Sequence, residues 1–185
     1  MHLKITSGFL KTRIVRTPAT SLRPTCEKVR AAFFNALFSL IDFEDRAFLD
    51  IFSGSGVLAF EAVSRGFSKA SAIEIDEKAV KQIKFSAEEL GLSSLISVIR
   101  ENAFTIDFNL LKGEQFSAIY IDPPYTLGEK MASLLDKIVS SDIIHDTCVI
   151  CVEGESVADW SRQGWSSKNK KFGDTFLTFF YNWGN

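Results

Sequence analysis

"AFLDIFSGSGVLAFEAVSRG" (residues 47–66) begins with a nearly continuous apolar run, turns through two glycines, and continues with a helical pattern that Gly66 closes. A strand buried on both faces that passes through a glycine turn straight into a helix is half of a βαβ unit. Outward from it the pattern repeats. "ASAIEI" (70–75) reads as the next strand, and "DEKAVKQIKFSAEELG" as a helix that ends at Gly91. "LISVIR" (95–100), "FSAIYI" (116–121) and "TCVICV" (147–152) continue the strands, with Met131, Leu134, Leu135 and Ile138 marking a helix between the last two. Upstream, "TCEKVRAAFFNALFSL" places Val29, Ala32, Phe33, Ala36, Leu37 and Leu40 on one helical stripe, with Thr25 as the predicted N-cap. The tail "WSSKNKKFGDTFLTFFYNW" holds two β-rich runs around "FGD", a predicted antiparallel hairpin at the sheet edge. The fold class is therefore α/β: a doubly wound, mostly parallel seven-stranded sheet with a C-terminal hairpin. One domain over 1–185 is expected, with an arm at 1–24, a leading helix at 25–41 and the core at 46–185.

The chain has 185 residues, 46% hydrophobic and 24% charged, which suits a single buried core. No run approaches the length of a membrane span, and "MHLKITSGFL" lacks a signal-peptide layout, so a cytoplasmic protein without membrane contact is expected. Cys26, Cys148 and Cys151 are too few for a disulfide framework. "CVIC" matches C-x-x-C, but it sits in a β-rich run and reads as two small buried strand residues. His2 and His145 have no ligand spacing, and no metal is expected. Charge is uneven: residues 1–30 carry a net +6 and the remainder −8. A basic arm on an acidic body suits an edge that meets phosphates, or a solvated tail.

In such sheets ligands bind beyond the carboxyl ends of the strands. Four of those ends are polar or glycine-rich. The first holds Asp50, Phe52, Gly54 and Gly56, where glycines admit unusual φ and close approach by a ligand. The third glycine of a dinucleotide fingerprint is replaced by Ala59. Glu74, with Ile75 beside it, lies 18 residues after Gly56, where an acid would accept from ribose hydroxyls. Asn102 and Ala103 follow the third strand, where an amide could face an adenine edge. These features imply an adenosine-containing ligand without separating a dinucleotide from S-adenosylmethionine.

The fourth end is Asp122-Pro123-Pro124-Tyr125. Two prolines force the chain out of the strand in one stiff conformation, next to a carboxylate and an aromatic ring. The stretch resembles the [N/D/S]-P-P-[Y/F/W] signature of amino-methyltransferases that use S-adenosylmethionine. That resemblance implies that Asp122 and the Pro123 carbonyl accept hydrogen bonds from an exocyclic amine, that Pro124 stiffens the turn, and that Tyr125 stacks on a base turned out of its helix.

The start of the chain, "ITSGFLKTRIV" followed by "SLRPTCEKVRAAFFNAL", is similar to that of the bacterial RsmD-type 16S rRNA guanine-N2 methyltransferases. Arg23, Pro24, Thr25, Val29, Arg30, Phe34 and Asn35 match the family pattern, and the likeness runs on through "VEGES" to the closing hairpin. It implies a Rossmann-like methyltransferase fold, S-adenosyl-L-methionine as cofactor, and a monomer acting on 16S rRNA or the small ribosomal subunit particle. Lys11, Arg13, Arg23, Thr25 and Arg30 would then contact RNA. Gly8-Phe9-Leu10-Lys11-Thr12-Arg13 departs from the family's G-x-x-R-G-R, and Glu27, Lys28 and Ala31 depart further on. The alternatives are adenine-N6 or cytosine-N4 methylation of DNA or another RNA, and a nucleotide-binding Rossmann domain without methylating activity.

Overall fold

The structure is a computed structural model in which residues 2–16, 26–111, 113–124 and 128–183 are described. A short antiparallel pair comes first, β1 (His2–Lys4) with β2 (Ile14–Arg16). Then follow α1 (Glu27–Phe38), β3 (Ala47–Ile51), α2 (Val57–Ser64), β4 (Lys69–Glu74), α3 (Glu77–Glu89) and β5 (Ile96–Arg100). A 3-10 turn at Phe108–Leu111 leads to β6 (Phe116–Ile121), α4 (Gly128–Val139), β7 (Ile144–Gly154), β8 (Ser166–Phe172) and β9 (Thr175–Tyr181).

The large sheet runs β5-β4-β3-β6-β7-β9-β8. Its first five strands are parallel and the last two antiparallel, as the sequence pattern predicts. The order reverses between β3 and β6, which opens a crevice at their carboxyl ends. Both faces are covered. Leu49, Ile51, Ile73, Ile119 and Ile121 pack under Met131, Leu134, Leu135 and Ile138 of α4. Phe48, Ala70, Ala72, Ala118 and Tyr120 face α1, α2 and α3, and the alanines let those helices approach closely. Cys148 and Cys151 are buried in β7 on opposite faces, so they cannot bridge. Edge strand β8 carries Lys168, Lys170 and Lys171, which discourages pairing with another chain.

Helix α1 descends from the carboxyl towards the amino ends of the strands. Phe33 meets Tyr120 edge-on with ring centroids 4.6 Å apart, Phe34 meets Phe48 at 5.9 Å, and Phe38 meets Phe43 at 5.6 Å. The helix is shorter than expected, and its N-cap is Cys26, whose side chain makes no capping bond. The expected cap, Thr25, lies outside the described residues, as does Arg23.

The N-terminal segment up to Arg16 is folded onto the body, contrary to the reading as a solvated tail. Ile5 and Val15 are buried, and the turn between β1 and β2 sits on the end of α2. The Phe9 amide donates to the Ser64 carbonyl at 2.9 Å and the Leu10 amide to Ser64 Oγ at 2.9 Å. Gly8 makes this possible, because a Cβ there would lie 1.7 Å from the Ser64 carbonyl oxygen and φ is +83°. Below the turn, the fully buried Glu61 accepts from Arg30 Nε at 3.0 Å, Arg65 Nη2 at 3.0 Å and Thr6 Oγ1 at 2.6 Å. This overturns one expectation. Arg30 does not face RNA: it is 2% exposed, neutralises Glu61, and donates from Nη2 to the Lys4 carbonyl at 3.0 Å. A cation so enclosed cannot reach a phosphate.

Candidate active site

The carboxyl ends of β3, β4, β5 and β6 converge on the crevice. At the end of β3 the chain turns at Phe52 (φ 63°), Gly54 (φ 53°) and Gly56 (φ 71°). Left-handed φ in a phenylalanine is strained, and such strain persists where the surroundings over-determine it. The Ser53 amide donates to the Ile73 carbonyl at 3.0 Å, and the Gly56 amide to the Ser53 carbonyl at 2.7 Å. Gly56 has a packing role as well, since a Cβ there would meet Ile83 Cγ1 of α3 at 2.9 Å. The expectation that both glycines serve ligand approach is thus narrowed at Gly56.

Glu74 fastens two loops. Its Oε2 accepts from the Gly54 amide at 2.7 Å and its Oε1 from the Asp76 amide at 2.8 Å. A carboxylate offers about four lone-pair positions, so acceptor capacity remains for hydroxyls. Asp76 caps α3 by accepting from the Ala79 amide at 2.8 Å. Next to Glu74, Ile75 is 60% exposed and offers an apolar face at the rim. Asn102 uses its side-chain oxygen locally, accepting from the Phe104 amide at 3.0 Å. Ala103 is buried among the residues packed against α4, so only its backbone could meet a ligand. The rings of Phe52 and Phe104, 5.2 Å apart, link the loops after β3 and β5.

Asp50, Tyr120 and the acids beyond them share the sheet face under α1. Asp50 pairs in register with Tyr120, and Asp122 follows two residues later on β6. The Asp122 amide lies 3.4 Å from the Ile51 carbonyl, which holds the start of the Pro123-Pro124 turn against β3. Tyr125 lies outside the described residues. Asp50 is 1% exposed and its acid is pushed well above the usual carboxylate range, first by burial and then by the Asp122 and Glu74 carboxylates, with the Ala59 amide opposing. Its Oδ2 and Ser53 Oγ have no hydrogen-bond partner among the described residues. Burial also pushes up the Tyr120 phenol, reinforced by Glu153, Cys151 and Asp122. The crevice is therefore anionic and holds two buried polar atoms without partners, a combination that suits a cationic, hydrogen-bonding ligand.

The sequence profile described as "Conserved hypothetical protein 95" matches residues 3–181. "Ribosomal RNA small subunit methyltransferase D" of Escherichia coli (strain K12) is 32% identical over 157 residues, covering 83% of this chain and 75% of that protein. The chain belongs to this family. Among solved structures, "Putative methyltransferase yhhF from Escherichia coli" is similar with a TM-score of 0.81 and 29% identity, covering 98% of both chains. An RNA methyltransferase from Salinibacter ruber, solved with S-adenosyl-L-homocysteine, has a TM-score of 0.64 over 86% of this chain and 94% of that one. At 16% identity that likeness is one of fold.

Within the family frame, the crevice gathers Asp50, Phe52, Gly54, Glu74, Asn102 and Asp122, which the sequence separates by up to 72 positions. The exposed Lys11 and Arg13 lie apart from it on the N-terminal hairpin. Beside them Arg16 forms an ion pair with Glu89 at 2.9 Å, and a groove of about 550 Å³ runs between the hairpin and α3. Tyr120, Glu153 and Ser53 also border this crevice, and no motif in the sequence marks them. Tyr120 and Asp122 could have been placed on one face by their two-residue spacing, whereas Glu153 joins them only through the β6–β7 register.

Proposed function

We propose that this chain is an S-adenosylmethionine-dependent methyltransferase acting on an exocyclic base amine in RNA, namely guanine N2 of 16S rRNA in the small ribosomal subunit. The observation that carries the reading is the placement of Asp122-Pro123-Pro124 at the end of β6, beside Asp50 and Glu74, where the strand order reverses. The family relationship supports the choice of ribosomal RNA. The cofactor fits the donor set. Asp50 and Ser53 carry buried polar atoms without partners among the described residues, Glu74 suits ribose hydroxyls, and Ile75 an adenine face. When bound, S-adenosylmethionine supplies an electrophilic methyl group on a positively charged sulfur, which an anionic crevice favours.

The protein's own task is to orient a weak nucleophile. The lone pair of an aromatic amine is delocalised into its ring, so Asp122 and the Pro123 carbonyl each accept one N–H and hold the nitrogen still. The stiff Pro-Pro turn keeps both acceptors in place. As the nitrogen gains a methyl group it sheds a proton, for which the Asp122 carboxylate is the nearest base. Lys11, Arg13 and Arg23 hold RNA phosphates outside the crevice, Thr25 joins them, and Tyr125 stacks on the exposed base.

Mass spectrometry of nucleosides after incubation with small-subunit particles, naked rRNA and DNA tests this reading. N2-methylguanosine from rRNA or particles is the expected product, lost in Asp122→Ala while S-adenosylhomocysteine still binds. An adenine or cytosine product, or full activity in the variant, would refute it.

A further inference from the structure

The β6–β7 register pairs Ile121 with Val152, so Asp122, just past the end of β6, and Glu153, next to last in β7, come side by side. Neighbouring strands lie about 4.8 Å apart, and residues in register share a face. Glu153 is half-buried and its Oε2 accepts from the Tyr120 hydroxyl. Tyr120 is itself fully enclosed, with its ring set edge-on against Phe33. A carboxylate tied to a ring that cannot move is itself oriented. Asp50 Oδ2, buried on the neighbouring strand β3 and without a partner among the described residues, marks the same crevice as a place where a ligand completes the hydrogen bonding.

We propose that Glu153 is a specificity-determining residue that accepts a hydrogen bond from N1–H of the target guanine. The inference rests on the guanine-N2 reading. If Asp122 and Pro123 take the two hydrogens of the amine, the ring position next to it remains to be read. In guanine the amine stands between N1–H, a donor, and N3, an acceptor, and the donor is what sets it apart. The exocyclic amines of adenine and cytosine lie next to N1 and N3, which are acceptors. A fixed carboxylate pairs with the first and repels the others, and a buried mismatch of this kind discriminates strongly. Satisfying the Tyr120 hydroxyl does not by itself call for a carboxylate, because a glutamine there would accept from it equally well. The charge and the acceptor-only character are what guanine adds as a reason.

The test uses the full chain and an rRNA substrate carrying either guanine or 2-aminopurine at the methylated position. 2-Aminopurine keeps the N2 amine but has an acceptor at N1. Wild-type protein is expected to prefer guanine in kcat/KM by about 10- to 100-fold, the range of one hydrogen bond to a charged group. Glu153→Gln, whose amide can both accept from Tyr120 and donate to N1, is expected to lower that ratio at least about tenfold. Its affinity for S-adenosylhomocysteine is expected to stay unchanged. An unchanged ratio in Glu153→Gln, or a wild-type ratio near one, would overturn the inference. If that variant does not fold, Tyr120→Phe decides, because it unties Glu153 and should give an intermediate ratio, whereas a wild-type ratio there refutes the inference. A wild-type product other than N2-methylguanosine would instead refute the functional reading on which this one stands.

Discussion

Glu61→Gln should destabilise the protein by about 3 kcal/mol, near the lower end of the range for breaking a buried ion pair. The substitution keeps the shape of the side chain, removes its charge, and turns one acceptor oxygen into a donor that faces other donors. Glu61 is fully buried between Arg30 and Arg65, whose side chains are 2% and 12% exposed. Arg65 can regain water at its open edge, so most of the cost falls on Arg30, which cannot. Against a typical total of about 5–15 kcal/mol this is a large fraction. For a chain of this size it corresponds to a fall in Tm of about 6–12 °C. Urea unfolding followed by fluorescence of Trp160, Trp165 and Trp183 measures it. Glu89→Gln is the internal control, because Glu89 pairs with Arg16 at the same 2.9 Å to 3.0 Å range but with side chains 39% and 52% exposed. Surface pairs of that kind contribute about 0–1 kcal/mol. Equal losses below about 1 kcal/mol in both variants would refute the argument that Glu61 anchors the hairpin through a desolvated network.

Asp50→Asn should stabilise the free protein at neutral pH while weakening S-adenosylmethionine binding. A buried acid whose pKa is raised on folding binds its proton more tightly in the native state, so stability falls as pH rises from the ordinary carboxylate range through the raised value. Thermal melts should therefore show the variant ahead at pH 8 and level with wild type below about pH 4; no gap at pH 8 would contradict the burial argument. A thiol reagent at pH 8 should titrate Cys26 alone in the native protein and Cys148 and Cys151 only after denaturation, since Cys26 is exposed and burial pushes the other two thiols up. Neutralising Lys11 and Arg13 together should weaken rRNA binding and flatten its dependence on log salt by about one unit per lost phosphate contact, with the melting temperature unchanged. An unaltered slope would remove the hairpin from the RNA interface.

The parallel core of the sheet is legible because its strands hold apolar runs set between helices and turns, and "FSAIYI" coincides with the observed bounds, Phe116–Ile121. The N-terminal hairpin was not legible. Three-residue strands leave no periodicity to detect, and their stability comes from Ser64 and Glu61, more than 50 positions away. The misreading of Arg30 has the same root. A basic residue in a helix with an apolar stripe reads as solvated unless its buried partner is known, and Glu61 lies in a helix apolar apart from Ser64 whose enclosure emerges only from packing. The meeting of strand ends, by contrast, depends on the chain order of the elements, and the placement of Asp50, Glu74 and Asp122 at one crevice follows from it.

The two charged regions constrain each other. An acidic crevice attracts a cationic cofactor, yet it repels the phosphates of the substrate that must enter it. At an effective dielectric of about 20, two like charges 6 Å apart cost about 3 kcal/mol, so a backbone phosphate cannot sit beside the Glu74 and Asp122 carboxylates. A base is uncharged and incurs no such cost. On the proposed reading, the acids therefore act as a filter that admits a base only when it is turned away from its own backbone, while the phosphates stay on the cationic hairpin. The Glu61 network matters to that division, because it fixes the hairpin to the first helix and to α2, and through α2 to the loop that carries Phe52 and Gly54. Loosening the network should thus move the phosphate-binding edge relative to the crevice, so Glu61→Gln should raise KM for RNA more than it weakens cofactor binding.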